Sequence, residues 1–311
     1  MSEEKGLVNP FVLSDGDGYM WLKGNLHSHS TNSDGRVSPQ ERVDGYVNQG
    51  YDYLCVSDHN NITFVETLTC PENFTLIQGA ELHPDNPFGG DRHHFVALNI
   101  SEDMDARAMP PQHVIDEVKK QGGSIWLAHP HWSGINILRD TMPLTGLAGI
   151  EVFNTTCRCA GRGESSVHWD DWMDLSGQLL PALGNDDSHA ADSEARDTYQ
   201  GWTMVRVKER SPEAIVEALE SGAGYASTGP QIFDIQLHGG EGRAVEATVK
   251  CSPAQRIAAV LDSRGTEYHE GGKLFETATF TLRPGSKHVR FEIIAPNGDK
   301  AWSNPFDLTA L

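Results

Sequence analysis

Trp21-Leu22-Lys23-Gly24-Asn25-Leu26 runs into His27-Ser28-His29, with Asp34 five residues further on, so a short apolar strand gives way to a polar turn. Side chains two apart on a strand point the same way, and the end of this strand can therefore offer two imidazoles to one cation. In a chain with 14 His the pair is a weak signal by itself, and its weight comes from repetition. Tyr51 to Val56 reads as a buried strand ending in Ser57-Asp58-His59-Asn60, and Phe74 to Ala80 stops at Glu81-Leu82-His83. His93-His94 instead opens the strand Phe95 to Ile100, while Ile125 to Ala128 closes on His129-Pro130-His131. Leu179 to Leu183 delivers Gly184-Asn185-Asp186-Asp187-Ser188-His189, a carboxylate and an imidazole two apart. Capping accounts for Ser, Asn and Asp at strand ends but gives no reason for His at each of them.

Helical segments lie between these strands. Ser38-Pro39-Gln40-Glu41 has capping-box spacing with Pro at the first helical position, and its helix should end at Gly50. A second helix is predicted from Pro110-Pro111 through Val114, Ile115 and Val118 to Gly122-Gly123, a third over Ser166 to Leu175, and a fourth from Ser211-Pro212-Glu213 to Gly222. Roughly seven strands alternating with helices predict an α/β fold built as a parallel barrel, in which the carboxyl ends of the strands converge on one face.

With these motifs in this order, the chain resembles the PHP (polymerase and histidinol phosphatase) superfamily of metal-dependent hydrolases over about residues 20–229. The resemblance implies a distorted (β/α)7 barrel. It also implies a ligand set of His27, His29, Asp34, His59, Glu81, His94, His129, Asp187 and His189, none of them replaced by a residue unable to bind metal. His94 directly precedes Phe95-Val96-Ala97-Leu98, as the family's ligand precedes its strand, with His93 as the alternative. Asp187 is preferred to Asp186 because it has the two-residue spacing to His189, and Asp58 is expected to hydrogen-bond a neighbouring group. Within the superfamily, Trp21 to His29, Tyr225-Ala226-Ser227-Thr228-Gly229-Pro230 and Ala301-Trp302-Ser303-Asn304-Pro305 are similar to the branch that includes carbaryl hydrolase.

Nine nitrogen and oxygen ligands without a thiolate exceed what one tetrahedral zinc needs and suit two or three divalent ions, whether Zn, Mn or Fe. By the family pattern, His27, His29, Glu81 and Asp187 hold one ion, Glu81, His94 and His129 a second, and Asp34, His59 and His189 a third. The implied activity is a phosphoesterase in which a hydroxide held on metal attacks a small phosphate monoester or cyclic phosphodiester. The alternative is a metallohydrolase of carboxyl esters or carbamates, for which Trp126, Trp132 and Phe88 could line a more apolar pocket; a third reading is a non-catalytic, metal-stabilised module. His131, His83 or a water held on metal could protonate a leaving group, and Arg196 or Arg92 could clamp an anion, although His83, His131 and Asn154 read equally well as ordinary polar loop residues.

A formal charge of −20 argues against general affinity for nucleic-acid backbones, whereas bound divalent ions would reverse the local sign and admit a small anionic substrate. No apolar run approaches membrane-spanning length, and Met1 to Lys5 lacks the apolar core of a signal peptide. Five Cys form no zinc or redox spacing, so reduced thiols in the cytoplasm are expected, with Cys157-Arg158-Cys159 in a loop. After Pro230 the character changes. Ile232 to His238, Val245 to Lys250, Ile257 to Asp262, Thr277 to Leu282 and Val289 to Ile294 read as strands with no helical segment between them. The division expected is a PHP-type barrel over 1–229 and a small antiparallel, sandwich-like β domain over 230–311 that covers the barrel or assists assembly.

Overall fold

The computed structural model describes residues 7–89, 92–191, 196–239, 245–262, 265–309 and 311. Its helices begin where the sequence caps them. Helix α1 (Pro39–Asn48) opens on the Ser38/Glu41 capping box, and Gly50 behind it takes the left-handed φ of +71° that stops the helix. Helix α2 (Pro111–Lys120) buries Val114, Ile115 and Val118 on one face. The turns α3 (Pro130–Ser133) and α4 (Thr155–Arg158) are followed by α5 (Ser166–Ser176) and by α6 (Pro212–Glu220), which Ser211 caps through Ala214 N. Cys157, expected in a loop, sits in α4 because Asn154 Oδ1 accepts from its backbone N–H at 2.9 Å. No helix among the described residues is long and apolar enough to cross a membrane.

The architecture is mixed α/β, but the described strands close no (β/α)7 barrel. They form two sheets. One comprises β4 (Gly79–Leu82), β5 (Phe95–Leu98), β6 (Ser124–Leu127), β7 (Gly149–Asn154) and β8 (Ala182–Asn185) in that order. The other includes β1 (Met20–Asn25), β2 (Tyr53–Leu54) and β3 (Thr75–Leu76), paired in parallel, with β9 (Trp202–Val207) and β10 (Gly224–Ser227) added antiparallel beyond β1. Single bridges, Ser28 to Ser188 and His59 to Glu81, stitch the two sheets together where continuous ladders would close a barrel.

The departure from a parallel barrel centres on β5, which runs antiparallel to both β4 and β6. The chain leaves β4 and re-enters the sheet at the same end, with no helix between them among the described residues. A strand entered this way starts where its neighbours finish, and His94, just before β5, thereby joins residues that follow β1, β2, β6 and β8.

Six further strands follow: β11 (Ile232–His238), β12 (Glu246–Leu261), β13 (Gly265–Thr281), β14 (His288–Ile294), β15 (Lys300–Ser303) and β16 (Phe306–Asp307). All their pairings are antiparallel. They surround a core of their own that includes Ile235, Val249, Ile257, Phe280 and Phe291. The ladder nevertheless runs across residue 230, because β15 pairs with β10. Side chains reinforce that junction: Arg290 grips Asp170 of α5 through two bonds of 2.7 Å, and Lys300 meets Glu164 at 2.6 Å. Asn304 accepts from Ala182 N at 2.9 Å and donates to the carbonyls of Gly222 and Gly224.

Candidate metal centre

The ends of β1, β2, β4, β6 and β8, with the start of β5, converge on one cavity of about 300 Å³. His27 and His29 project together from the end of β1, and the chain there is pinned by His29 N–H to Ser188 O at 2.8 Å and Asp187 N–H to His27 O at 2.8 Å. Both imidazoles are fully buried, as is Glu81 at 1% exposure, so polar groups normally found in water have been withdrawn from it.

Glu81 is the hub. Its Oε1 lies 2.8 Å from His94 Nδ1 and 3.1 Å from His129 Nε2; its Oε2 lies 2.7 Å from His59 Nδ1, 3.1 Å from His83 Nε2 and 3.3 Å from His27 Nε2. Asp187 Oδ1 stands 2.9 Å from His29 Nε2 and 3.2 Å from His27 Nε2. Asp34, half-exposed, faces His59 Nε2 at 3.3 Å and His189 Nε2 at 3.4 Å. The structure thus brings all nine residues into overlapping groups whose donor atoms lie within 4.8 Å of one another: His27, His29, Glu81 and Asp187; Glu81, His94 and His129; and His29, Asp34, His59 and His189.

These donors fit a set of cations better than they fit each other. His27 Nδ1 lies 2.8 Å from Glu151 Oε1, so a neutral His27 carries its proton there and turns the Nε2 lone pair toward carboxylate oxygens. His27 Nε2, His29 Nδ1, His59 Nδ1, His83 Nε2 and Glu81 Oε2 are all buried without a hydrogen-bond partner. His59 Nδ1 is within 2.7 Å of Glu81 Oε2 and still out of line for a bond. Converging acceptors of this kind are stable when a divalent ion lies among them, and nitrogen and oxygen donors in these numbers suit Zn, Mn or Fe.

Protons share the charge when no ion does. Burial pushes the Glu81 carboxyl up, but His27, His94 and His83 hold it well below the ordinary carboxylate range, and Asp187 is likewise driven down, by His27 and His29. Burial lowers His59 too, yet Asp34 and Glu81 outweigh it and raise the imidazole to about 10. For His29 and His94 burial prevails, and both fall to about 4.

Several supports were not read from the sequence. Glu151, in the middle of β7, is fully buried: Oε1 accepts from His27 Nδ1 and Asn185 Nδ2, and Oε2 from His129 N and Asn154 Nδ2. Its signal was a carboxylate inside the apolar run Ile150-Glu151-Val152-Phe153. Asn154, placed near the rim by its position in the chain, is buried and also donates to Asp187 Oδ2 at 3.2 Å. His129 and Asp187 adopt positive φ of +25° and +57°, backbone strain of roughly 1–3 kcal/mol each of the kind that collects at functional sites. Asp58, expected from the sequence to bond its neighbours, accepts from Ser30 N, Ser30 Oγ, Ser33 Oγ and Thr63 Oγ1, which fixes the turn bearing Asp34. In the same turn a Cβ on Gly35 would lie 2.5 Å from the His29 carbonyl, so only glycine fits.

The alternatives separate cleanly. Asp186 is saturated by Tyr46 Oη, Thr155 Oγ1 and the backbone N–H groups of Tyr199, Gln200 and Gly201, which leaves Asp187 to the cluster. His93 turns to the Asp140 carbonyl at 3.1 Å, away from Glu81, whereas His94 meets it. His83 is drawn in, and its ring lies 4.3 Å from that of His59 and 4.0 Å from that of His94. His131 is not brought to the cavity wall: its Nδ1 donates to Glu164 O at 2.9 Å and its ring packs beside His168. Arg196 and Arg92 are exposed and likewise do not line it, Arg92 pairing with Asp85 at 2.9 Å. Cys157 does line it, buried, with burial pushing its thiol far up, out of the range in which a thiolate forms readily.

No family model matches the chain. Its fold is shared with a two-domain protein of Bacteroides vulgatus ATCC 8482 described as containing a predicted PHP-like metal-dependent phosphoesterase, at a TM-score of 0.53 and 20% identity over 94% of this chain and 96% of that one. The chain therefore shares that protein's fold, and the likeness extends through the C-terminal strands. The DNA polymerase/3'-5' exonuclease PolX of Bacillus subtilis (strain 168) is 29% identical over 114 residues, 30% of this chain. That match spans 20% of the polymerase's length. An uncharacterized protein of Methanocaldococcus jannaschii is 26% identical over 145 residues, which are 43% of this chain and 82% of that protein.

Proposed function

We propose that this chain is a metal-dependent hydrolase of small phosphate esters, monoesters or cyclic diesters, with two or three divalent ions held by His27, His29, Asp34, His59, Glu81, His94, His129, Asp187 and His189. The observation that carries the reading is the sharing of Glu81 and His29 among adjoining donor groups around one cavity. A single-ion site has no use for shared donors. Further support is the fold held in common with the Bacteroides protein.

Clustered divalent ions lower the pKa of a bound water and stabilise the oxygens of a phosphoryl group. The chain's part is to orient and to hold protons. Glu151 fixes the tautomer of His27, so that Nε2 faces the cavity side of Glu81. Asn154 steadies Asp187. Of the two imidazoles considered for protonating the leaving oxygen, His83 lines the cavity and His131 does not, which favours Nε2 of His83. An anion clamp by Arg196 would require that exposed side chain to fold over the mouth.

Turnover of a nitrophenyl phosphate, the matching carboxyl ester and an N-methylcarbamate should be compared after loading with Mn, Zn and Fe(II) in turn. Phosphoester cleavage is expected to lead. Carbamate or ester cleavage faster by tenfold in kcat/KM, about 1.4 kcal/mol in transition-state binding, rejects the phosphoesterase reading in favour of the carbonyl one.

A further inference from the structure

The three aromatic residues near the ligand motifs have separate fates. Trp126 is fully buried in the core, and Phe88 is 55% exposed but absent from the cavity wall. Trp132 is on the wall and remains 39% exposed. Its indole stands nearly perpendicular to the rings of His94 and His129, with centroids 5.7 and 5.2 Å away. It is carried on α3, the single turn that starts directly after His129, where Trp132 N–H bonds to His129 O at 3.0 Å and Gly134 stops the helix at a φ of +66°. The indole is thus set on a fixed backbone beside the two imidazoles that share Glu81 Oε1.

A Trp whose task was only to pack against the ligands would bury its rings. This one leaves apolar surface open at the mouth of a polar site, and the other wall residues outside the ligand set and His83 are Thr156, Cys157 and Asp197. The Thr156 hydroxyl is already donated to Asp187 O at 2.6 Å, and the Cys157 thiol is kept neutral by burial. Indole faces and edges pair best with another planar ring, in offset or edge-on geometry. A cavity of about 300 Å³ is at the small end of ligand sites, with room for one ring beside one phosphoryl group.

We infer that Trp132 is a specificity residue that receives an aryl or heteroaryl ring borne on the substrate's leaving group, so that the site takes a single-ring ester in preference to an alkyl one. The inference deepens the hydrolase reading and rests on it.

The test uses metal-reconstituted protein and two non-hydrolysable probes, phenylphosphonate and methylphosphonate, titrated by calorimetry into wild type, Trp132→Ala and Trp132→Phe, with metal content measured alongside. Wild type should bind the phenyl probe about tenfold more tightly. Trp132→Ala should lose that preference with methylphosphonate affinity and metal content unchanged, and Trp132→Phe should restore most of it. Equal weakening of both probes, loss of metal, or an undiminished preference in Trp132→Ala overturns the inference, because each assigns Trp132 to supporting the ligands or to no role in binding. If neither phosphonate binds wild type, phenyl and ethyl N-methylcarbamates replace them. A Trp132-dependent ring preference there upholds the specificity residue while the phosphoester reading fails, and no preference in that series rejects the inference as well.

Discussion

The ligand-bearing end of β1 to β8 and the antiparallel strands β11 to β16 are both densely buried, but they bury opposite kinds of matter. The first withdraws His27, His29, Glu81, Glu151 and Asp187 from water, and several of their atoms have no partner. The second hides Ile235, Val249, Ile257, Phe280 and Phe291, with one buried cation, Arg290, held by Asp170 and Glu292. Apolar burial stabilises by itself, at about 25 cal/mol per Å², whereas buried ionisable groups stabilise only once they are neutralised. One region is therefore held mainly by apolar burial, with Trp302 Nε1 buried there without a bond, and the other is completed by cations or by protons.

The largest effect that tests this contrast is expected at the ligands. Asp187→Asn and His29→Ala should each lower turnover by at least about a thousandfold in a protein that still folds, since they remove charge compensation or a donor rather than packing. Wild-type turnover in either variant would break the contrast at once. Glu151→Gln should act one layer out: metal affinity measured by competition with a chelator should fall about 10–100-fold, because His27 loses the carboxylate that orients it. An unchanged affinity would make Glu151 a bystander. On the other side, Arg290→Ala should reduce unfolding free energy by about 3 kcal/mol in denaturant titration, leaving the carboxylates of Asp170 and Glu292 without their partner, while bound metal stays the same.

A gentler effect is expected from pH. His59, raised to about 10 by Asp34 and Glu81, contributes stability that is fully present below its unfolded pKa near 6.5 and is lost as pH rises toward 10. The melting temperature of metal-free protein should fall across that window, whereas that of metal-loaded protein should stay level, since ions replace the protons. The smallest change is expected for Cys157→Ser, which should leave metal content and turnover as they are. Loss of an ion in that variant would return a thiolate to the ligand set.

Legibility in the sequence followed the same division. Residues at strand ends announce themselves, because a two-residue spacing such as His27/His29 or Asp187/His189 projects two donors to one side. Seven of the nine line one cavity, and His27 and His29 lie against its Glu81 and Asp187. Glu151 was hidden because a carboxylate inside a strand looks like an interruption of the apolar pattern, and only the fold shows that its side chain reaches His27. The direction of β5 was equally hidden. A strand reads the same both ways, and the one hint, that His94 precedes its strand, is compatible with a parallel barrel; the antiparallel pairing with β4 and β6 decides the direction. Arg196 and His131 show the limit of proximity in sequence: each adjoins a ligand motif, and neither lines the cavity.

Asn304 has a consequence for where this chain can be cut. Its single side chain satisfies Ala182 N, Gly222 O and Gly224 O, three main-chain groups of the ligand-bearing half, from a position some 75 residues past Pro230. A gene shortened at codon 229 would strip those partners along with the β15 ladder from β10, at roughly 1–3 kcal/mol for each group left buried and unpaired. Cutting the chain there would therefore leave the ligand-bearing half with exposed ladder edges and unpaired main-chain groups.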